Sequence, residues 1–371
     1  MDLARAKSTS ARACLLFAAT YQDINVNRIF NLLTSALPLV IIGGLLYAGL
    51  FIKPQPQGAA LARPVFERGD RFYGLAVQQD GRAWVVGSGG KIARTEDSGR
   101  SWRIQRSAVD VSLQDVAAWD GRHAVAVGNG GAVIVTDDGG MLWRGVEAPH
   151  NKIANKLMRV KALAGGQAWA VGEGGSVLRS TDFGSTWHQV GPEEDIAWND
   201  ISFHEKLGWM VGEYGRIRVS NDEGASWHEV KSPTKMSLMS VAFKDAENGV
   251  AVGLNGVILV SHDGGESWTQ ERFVSPDQSP QAIQTDDRLE AGKVYERGRL
   301  EHLLDVIWDG ERWVAVGSKG IVVIGSTDAS EWKATRLSPD DRNWYTSIAR
   351  SQTQYYLVGS RVVTTQEMKA L

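Results

Sequence analysis

The side chains that could do chemistry are acids repeated within one phrase, Ser/Thr-x-Asp-x-Gly-x-x-Trp. Its aspartates are Asp97, Asp138, Asp182, Asp222 and Asp263, and Asp328 stands in a sixth copy that lacks the glycine and one residue. Paired carboxylates hydrolyse glycosidic bonds in many enzymes. At this spacing, however, Asp can accept backbone N–H bonds across a turn, Gly allows a left-handed residue, and Trp buries a large ring. We interpret these aspartates as structural.

A second set of reactive side chains lies in one short segment that contains Glu213, Tyr214, Arg216 and Arg218. A tyrosine nucleophile, an acid and arginines that hold a carboxylate are the groups of some glycosidases. Neighbours in a strand point to opposite faces, so proximity in sequence does not assemble such a site. A glycan-binding or glycan-hydrolysing function is the alternative interpretation.

Other catalytic and metal-binding patterns are missing from the sequence. It contains no G-x-S-x-G and no H-E-x-x-H, its seven histidines show no i,i+4 pairing, and its single cysteine is Cys14. We therefore predict no metal, no cofactor and no enzymatic activity.

The elements that position these residues repeat along the chain. A small-hydrophobic-Val-Gly pattern recurs with glycines 41, 44, 40, 41, 64 and 42 residues apart: Gly87, Gly128, Gly172, Gly212, Gly253, Gly317 and Gly359. Short apolar runs joined by glycine-rich turns indicate β-hairpins, and this period is that of a propeller blade. The sequence thus predicts an all-β, seven-bladed propeller with four-stranded blades.

The seventh repeat lacks a fourth strand. Residues Arg63–Arg68 precede the first blade and have no other assignment. We expect this segment to pair with the C-terminal strands, which would close the ring and remove exposed sheet edges.

The repeated phrase resembles bacterial neuraminidase-type (Asp-box) repeat propellers, and most closely the photosystem II stability and assembly factor family. The resemblance covers residues 63–366. It implies an extracytoplasmic propeller that binds membrane-protein partners without catalysis. Similar proteins in non-photosynthetic bacteria imply a second setting, as an accessory to inner-membrane transporters such as resistance-nodulation-division exporters. The sequence leaves both settings open.

Candidate partner-binding residues are those that depart from the repeat. The long interval reflects an insertion at about residues 273–303, and long loops in compact domains are often functional. On the same predicted face, acidic and aromatic residues of two adjacent turns could line one side of the channel mouth, although turn-filling residues are the simpler interpretation. The residues that we nominate are Arg288, Lys293, Tyr295, Arg297, Arg299, Glu173, Glu213 and Tyr214.

The N-terminal part predicts a membrane attachment. Residues 34–52 are uncharged and long enough to cross a bilayer as a helix, which divides the chain into a cytoplasmic leader (1–33), the span, a linker (53–62) and the propeller (63–371). We predict a single-pass inner-membrane protein with a periplasmic propeller. Cleavage near Ala62, which would release the propeller into the periplasm, is the alternative.

Charge argues against a nucleic-acid partner. The net charge is −3, and residues 1–62 contain five basic and two acidic side chains, so the propeller region is more acidic than the whole chain. We therefore predict a non-catalytic scaffold that binds a membrane protein or an inner-membrane complex; the sequence does not predict an oligomeric state.

Overall fold

The computed structural model describes residues 6–51, 65–273 and 301–368, and the helical side chains from Arg28 onward. It contains two units, Met1–Arg63 and Pro64–Leu371, which are considered separately. The described residues of the first unit form one helix, α1 (Ala6–Phe51), with Pro38 inside it. Its part Arg28–Phe51 is long and apolar enough to cross a membrane, and it includes residues 34–51 of the predicted span.

The second unit consists of short strands in seven sheets. The first strands are β1 (Phe72–Val77), β5 (Leu113–Ala118), β9 (Leu157–Ala162), β13 (Trp198–His204), β17 (Leu238–Phe243), β21 (Leu303–Trp308) and β25 (Tyr345–Arg350). The second strands are β2 (Ala83–Gly87), β6 (Ala124–Gly128), β10 (Ala168–Gly172), β14 (Leu207–Gly212), β18 (Gly249–Gly253), β22 (Trp313–Gly317) and β26 (Tyr355–Gly359). The third strands are β3 (Ile92–Thr95), β7 (Val133–Thr136), β11 (Val177–Ser180), β15 (Ile217–Ser220), β19 (Ile258–Ser261), β23 (Ile321–Gly325) and β27 (Val363–Thr365). The fourth strands are β4 (Arg103–Gln105), β8 (Arg144–Val146), β12 (His188–Gln189), β16 (His228–Val230), β20 (Thr269–Glu271) and β24 (Trp332–Arg336).

The sheets form a closed ring. Each is an antiparallel meander in sequence order, and each first strand packs beside the first strand of the next sheet until β25 returns to β1. The first strands therefore surround the axis, and the fourth strands lie at the rim. The predicted seven-bladed propeller is confirmed.

The closure of the ring corrects one part of the prediction. In the described residues the seventh sheet contains three strands, and Val65–Arg68 form bends and a turn rather than a strand. Arg63 and Pro64 lie outside the described residues. Side chains join the first and last blades: Thr346 Oγ1 donates to the carbonyl of Tyr73 at 2.9 Å, and the Tyr356 hydroxyl donates to that of Gly81 at 3.0 Å.

The core lies between neighbouring sheets, where the tryptophans of the repeated phrase contribute large buried surfaces. Trp143 is 2% exposed and packs with Trp84 and Ile134, and Trp187 is 4% exposed and packs with residues of blades two and three. Burial of such rings stabilises the contact between neighbouring sheets, because strands pair only within each sheet.

Every first strand contains a β-bulge near its start. The register with the second strand shifts between the first and third residues of each, for example between Leu113 and Asp115 and between Leu303 and Asp305. Bulges redirect side chains. They place the third residue of each first strand close to the axis, where these residues form the polar ring of the central channel.

Candidate partner-binding face and central channel

One face of the propeller carries the turns between second and third strands, and we call it the turn face. In all seven blades the first turn residue donates its backbone N–H to the residue that precedes the first strand, at 2.9–3.0 Å. The pairs are Ser88–Arg71, Asn129–Ser112, Glu173–Lys156, Glu213–Ala197, Leu254–Ser237, Ser318–His302 and Ser360–Trp344. The turns and the loops that lead into the blades therefore lie on the same face.

The two glutamates nominated on this face bind backbone. Glu173 Oε2 accepts the N–H of Lys156 at 3.2 Å, and Glu213 Oε2 accepts that of Ala197 at 2.9 Å. Serines occupy the same position in other blades, where Ser318 Oγ accepts the N–H of His302 at 2.9 Å. These carboxylates thus fix the loops that enter blades three and four, a function that the sequence did not suggest.

Tyr214 is an exposed aromatic residue of the turn face. Its backbone is left-handed, with φ of 57°, and its side chain is 68% exposed. Glycines occupy the equivalent position in blades one to three: Gly89, Gly130 and Gly174. The turn needs a left-handed residue there, which glycine adopts without strain and a tyrosine does not.

The neighbouring loop contributes a second exposed apolar residue. The loop after β16 passes the turn of Tyr214, since a side chain at Gly215 would meet the carbonyl of Thr234. Met236 on this loop is 40% exposed, and Lys235 beside it is exposed. Tyr214, Lys235 and Met236 give this part of the turn face an aromatic ring, a flexible thioether and a positive charge.

The remaining nominated residues, Arg288, Lys293, Tyr295, Arg297 and Arg299, lie outside the described residues. The described chain stops at Phe273, after β20, and resumes at Glu301, before β21. On the resuming side, the N–H of Asn255 donates to His302 Nδ1 at 3.0 Å. The insertion therefore rejoins the described chain at the turn face.

The arginines near Tyr214 are paired with carboxylates. Arg216 Nε donates to Glu229 Oε1 at 3.0 Å, Arg216 Nη1 donates to Glu194 Oε2 at 3.2 Å, and Arg218 Nη2 donates to Glu194 Oε1 at 2.5 Å. The guanidinium of Arg216 lowers the pKa of Glu229 below its ordinary value. The two arginines of the glycosidase alternative are therefore held by neighbouring acids.

The aspartates of the repeated phrase lie on the opposite face, which we call the box face. Asp182 is representative: Oδ1 accepts the Ser180 hydroxyl at 2.8 Å and the N–H of Thr186 at 2.9 Å, and Oδ2 accepts the Thr186 hydroxyl at 2.7 Å. The hydroxyl of Ser101 makes the largest contribution to lowering the pKa of Asp97 to about 2. Hydrogen bonds to the turn thus hold such carboxylates ionised.

These bonds predict a modest effect on stability. We expect Asp182→Ala to lower the free energy of unfolding by about 1 to 2 kcal/mol, because three bonds to one turn are lost at a half-buried position. Chemical denaturation followed by tryptophan fluorescence measures this, with Asp182→Asn as the milder control. A variant that keeps its stability but no longer binds its partner would instead assign Asp182 to recognition.

A ring of seven residues surrounds the central channel, and sequence reasoning missed it. It consists of the third residue of each first strand: Gly74, Asp115, Arg159, Asp200, Ser240, Asp305 and Ser347. The six with side chains are 7% exposed or less. Three carboxylates and one guanidinium are therefore buried together.

Arg159 is the central cation of this ring. Its Nη2 lies 3.4 Å from Asp305 Oδ1, and its Nε lies 3.2 Å from Asp200 Oδ1 without a hydrogen bond. Burial acts to lower the pKa of Arg159, but the surrounding carboxylates, Asp200 first, raise it above its ordinary value. The guanidinium thus stays charged and links blades three, four and six.

Hydroxyl and backbone groups complete the bonds of two of the carboxylates. The Ser240 hydroxyl lies 2.9 Å from Asp200 Oδ2 and 2.8 Å from Asp305 Oδ1, and the N–H of Val241 donates to Asp200 at 3.0 Å. The Ser347 hydroxyl donates to Asp305 Oδ2 at 2.9 Å. Each of these carboxylates is therefore bonded to the following blade, which holds neighbouring blades in register.

Of the three carboxylates in the ring, that of Asp115 accepts the fewest hydrogen bonds. Its Oδ2 accepts the N–H of Val160 at 3.0 Å, and it packs over Gly74, where a side chain would meet Asp115 Cα at 2.4 Å. Burial raises the pKa of Asp115 to about 6. A cavity of about 460 Å³ that follows the first strands is lined by Asp115, Arg159 and Asp305, together with Lys161 and several alanines.

Comparison with known proteins identifies the lineage of this propeller. The family described as photosynthesis system II assembly factor YCF48 matches residues 107–197 and 224–340, more than half of the chain. The chain belongs to the photosystem II assembly factor YCF48 family. This result confirms the resemblance seen in the repeated phrase. No curated protein matches the chain in sequence.

Solved structures show the same fold. A YCF48 bound to a D1 peptide superposes with a TM-score of 0.61 at 17% identity, covering 82% of this chain and 96% of the other. YCF48 from Cyanidioschyzon merolae gives 0.61 at 15% identity, covering 81% and 96%. The WD40 propeller domain of Doa1 gives 0.58 at 11% identity, covering 84% and 97%. At these identities the likeness concerns the fold alone.

A sequence signal for the polar ring does exist within this YCF48-family chain. Charged or hydroxyl residues occupy one position of strands that are otherwise rich in apolar residues, as in Leu-Leu-Asp305-Val-Ile-Trp. Buried charges need partners. The sequence could have shown that partners exist, but only the closed ring shows which they are.

Proposed function

We propose that this protein is a membrane-tethered, non-catalytic scaffold whose turn face binds a membrane-protein partner and assists the assembly or function of an inner-membrane complex. The observation that carries the proposal is Tyr214, a left-handed tyrosine with a 68% exposed ring. A strained backbone persists where the residue is retained for another reason. Exposed tyrosines are frequent binding hot spots.

The insertion extends this surface in the proposal. The described chain resumes at Glu301, and His302 lies on the turn face, where its Nδ1 accepts the N–H of Asn255. The nominated residues of the insertion precede this point in the sequence: Arg288, Lys293, Tyr295, Arg297 and Arg299. We propose that they contact the same partner as Tyr214. Deletion of residues 276–300 separates their contribution from that of the turn.

Family membership supports a binding function in assembly. A related protein has been solved with a D1 peptide bound. Two settings follow for this chain: assembly of a photosystem complex, or support of an inner-membrane transporter such as a resistance-nodulation-division exporter. Purification from gently solubilised membranes with mass spectrometry of the co-purifying proteins decides between them.

In this proposal the tether is the helix Arg28–Phe51, which is long and apolar enough to cross a membrane. We propose that the propeller lies on the periplasmic side. A tether raises the local concentration of the propeller near a membrane partner, so weak contacts suffice. Protease treatment of spheroplasts tests the side, because an exported propeller is digested only from outside. The mass of the mature chain tests the alternative, since cleavage near Ala62 would shorten it.

We expect Tyr214→Ala to weaken partner binding by about 2 kcal/mol, roughly thirtyfold, because it removes a hot-spot ring. The matched control is Lys319→Ala, at the equivalent left-handed position of blade six. Tyr214→Gly removes the ring and relieves the backbone, so it should stabilise the turn by about 1 kcal/mol while binding is still lost. Affinity measured by biolayer interferometry and stability measured by denaturation separate the two effects.

Two results would contradict the proposal. Equal partner affinity of the Tyr214→Ala and Lys319→Ala variants would remove Tyr214 from the binding surface. Release of a fluorophore from a fluorogenic glycoside, abolished by substitution of Glu213 or a channel aspartate, would instead establish the glycan-hydrolysing alternative.

A further inference from the structure

One seam between neighbouring blades is filled differently from the other six. In six seams the tryptophan of the repeated phrase, which we call the box, packs between the sheet of its own blade and that of the preceding blade. These are Trp102, Trp143, Trp187, Trp227, Trp268 and Trp332. In the seam between blades six and seven, Met368 is 3% exposed and packs in one apolar cluster with Val316 of blade six and Leu357 of blade seven. A methionine therefore fills a seam that a tryptophan fills elsewhere.

The residues before Met368 repeat the first part of a box. Thr365 pairs with the first residue of β26, as Thr95 of the blade-one box pairs with the first residue of β2. The N–H of Glu367 donates to Thr365 Oγ1 at 3.4 Å, and the N–H of Asp97 donates to Thr95 Oγ1 at 3.3 Å. Thr365–Met368 is thus a shortened box that ends in a methionine, and we call it the clasp.

Few backbone hydrogen bonds hold the clasp in place. In the part of the chain that the structure describes, β27 pairs only with β26, and residues 366–368 belong to no strand. Arg312 Nη2 donates to the carbonyl of Met368 at 2.7 Å, and Arg312 Nε donates to Asp309 Oδ2 at 3.3 Å. Segments with few backbone bonds open locally at a lower cost than strands inside a sheet. We therefore expect the clasp to open and close while the rest of the ring stays folded.

The thioether of Met368 gives this seam a reaction that the tryptophan seams lack. Methionine packs as a flexible apolar side chain, and peroxides convert it to methionine sulfoxide. The sulfur lone pair forms an S–O bond as the O–O bond of hydrogen peroxide breaks, and the other oxygen takes up the proton and leaves as water. The sulfur is oxidised by two electrons and the peroxide is reduced by two. The side chain is thereby changed from apolar to polar.

The surroundings of Met368 suit a thioether and not a sulfoxide. Val316 and Leu357 offer no hydrogen-bond donor. The two tyrosine hydroxyls of the same cluster already donate to carboxylates, Tyr345 to Asp341 and Tyr355 to Asp309. A buried polar group without a hydrogen bond is costly. A sulfoxide at residue 368 is therefore more stable in water than in the seam.

We propose that the clasp is a redox-sensitive switch, in which a peroxide oxidises Met368 while the clasp is open and the sulfoxide then keeps the clasp from closing. Opening removes the side chain that fills the outer part of the seam between blades six and seven, so β26 and β27 lose protection. Enzymatic reduction of methionine sulfoxide reverses the change. The inference does not depend on the partner or on the membrane attachment proposed above.

The test measures backbone hydrogen–deuterium exchange of the full chain in mild detergent, by mass spectrometry, before and after treatment with hydrogen peroxide. Peptide mapping locates the oxidised methionines. Met368→Leu keeps an apolar side chain in the seam but cannot form a sulfoxide. The matched control is Met141→Leu, which removes a thioether that is 80% exposed on the box face. Met368→Gln places a polar side chain in the seam without any oxidant.

After peroxide, we expect peptides of β26 and β27 to exchange about tenfold faster or more in the wild type and in Met141→Leu, while blades two to four are unchanged. Met368→Leu should keep its slow exchange under the same treatment, and Met368→Gln should exchange fast without peroxide. Methionine sulfoxide reductase with a thiol should restore slow exchange to the oxidised wild type. Because the clasp opens locally, Met368 should be oxidised faster than Met210, which is 1% exposed inside β14.

Three results would overturn the inference. Oxidation of Met368 without faster exchange in β26 and β27 would show that the seam tolerates the sulfoxide. Equally fast exchange of wild type and Met368→Leu after peroxide would show that oxidation elsewhere opens the blade. Equal oxidation rates of Met368 and Met210 would show that the clasp does not open ahead of the sheets. If Met368→Gln does not fold, the comparison of oxidised wild type with Met368→Leu still decides the question.

Discussion

Replacing Arg159 by methionine should lower the free energy of unfolding of the propeller by about 3 to 5 kcal/mol, the largest loss that we expect from a single polar substitution. The guanidinium is buried, and its nitrogens lie 3.2 Å from Asp200 Oδ1 and 3.4 Å from Asp305 Oδ1. Methionine fills much of the volume but leaves the carboxylates of the ring without their central cation. Urea denaturation of the full chain in mild detergent measures the loss, since all 14 tryptophans lie between residues 84 and 344.

A matched control is a substitution two residues further along the same strand. Lys161 lies on the same strand, 3.7 Å from Asp200 Oδ1, but its side chain is 40% exposed, so Lys161→Met should cost less than about 1 kcal/mol. Adding Asp200→Asn and Asp305→Asn to Arg159→Met should restore part of the loss, because the uncompensated charges are then removed. Equal losses for the two single variants would show that the ring is not a buried ion network.

The fold was predictable because the repeat encodes it locally. Each Val-Gly turn fixes one hairpin, and the backbone bond from the first turn residue recurs in all seven blades, for example from Glu213 to Ala197 at 3.0 Å. The closure of the ring was less predictable, because the residue types of the short segment Arg63–Arg68 do not show what the segment packs against. Phe66 lies 5.1 Å from the Phe72 ring and 5.7 Å from the Trp102 ring. This residue contributes to the core without belonging to a strand.

The partners within the channel ring could not be predicted from the sequence. Arg159 and Asp305 are 146 residues apart, and only ring closure brings them together. Glu213 shows the converse case: it was nominated for binding because acidic residues of two adjacent turns could line the channel mouth, yet its carboxylate accepts the N–H of Ala197 at 2.9 Å. Tyr214 is different, since its exposure and left-handed backbone follow from a turn position that glycine occupies in blades one to three.

Asp115→Asn should make the propeller more stable at neutral pH and should remove part of its dependence on pH. Burial raises the pKa of Asp115 from an ordinary value of 3.8 to about 6. Between these values the folded protein holds a proton that the unfolded chain has lost, so stability falls as the pH rises through this window. The full effect above pH 6 is about 3 kcal/mol, and asparagine avoids it because it does not ionise while its side-chain oxygen still accepts from Val160.

The experiment compares the free energy of unfolding of the wild type and of Asp115→Asn between pH 4.5 and pH 7.5. We expect the wild type to lose stability relative to the variant over this range and the two to converge at the acidic end. Asp120→Asn is the opposite control: backbone and side-chain bonds from His123 outweigh burial and lower the pKa of Asp120, so its removal should cost stability at neutral pH. A pH-independent difference between the wild type and Asp115→Asn would mean that water reaches Asp115 through the central cavity and keeps it ionised. In that case the guanidinium of Arg159 would be the group that offsets the negative charges of the ring's carboxylates.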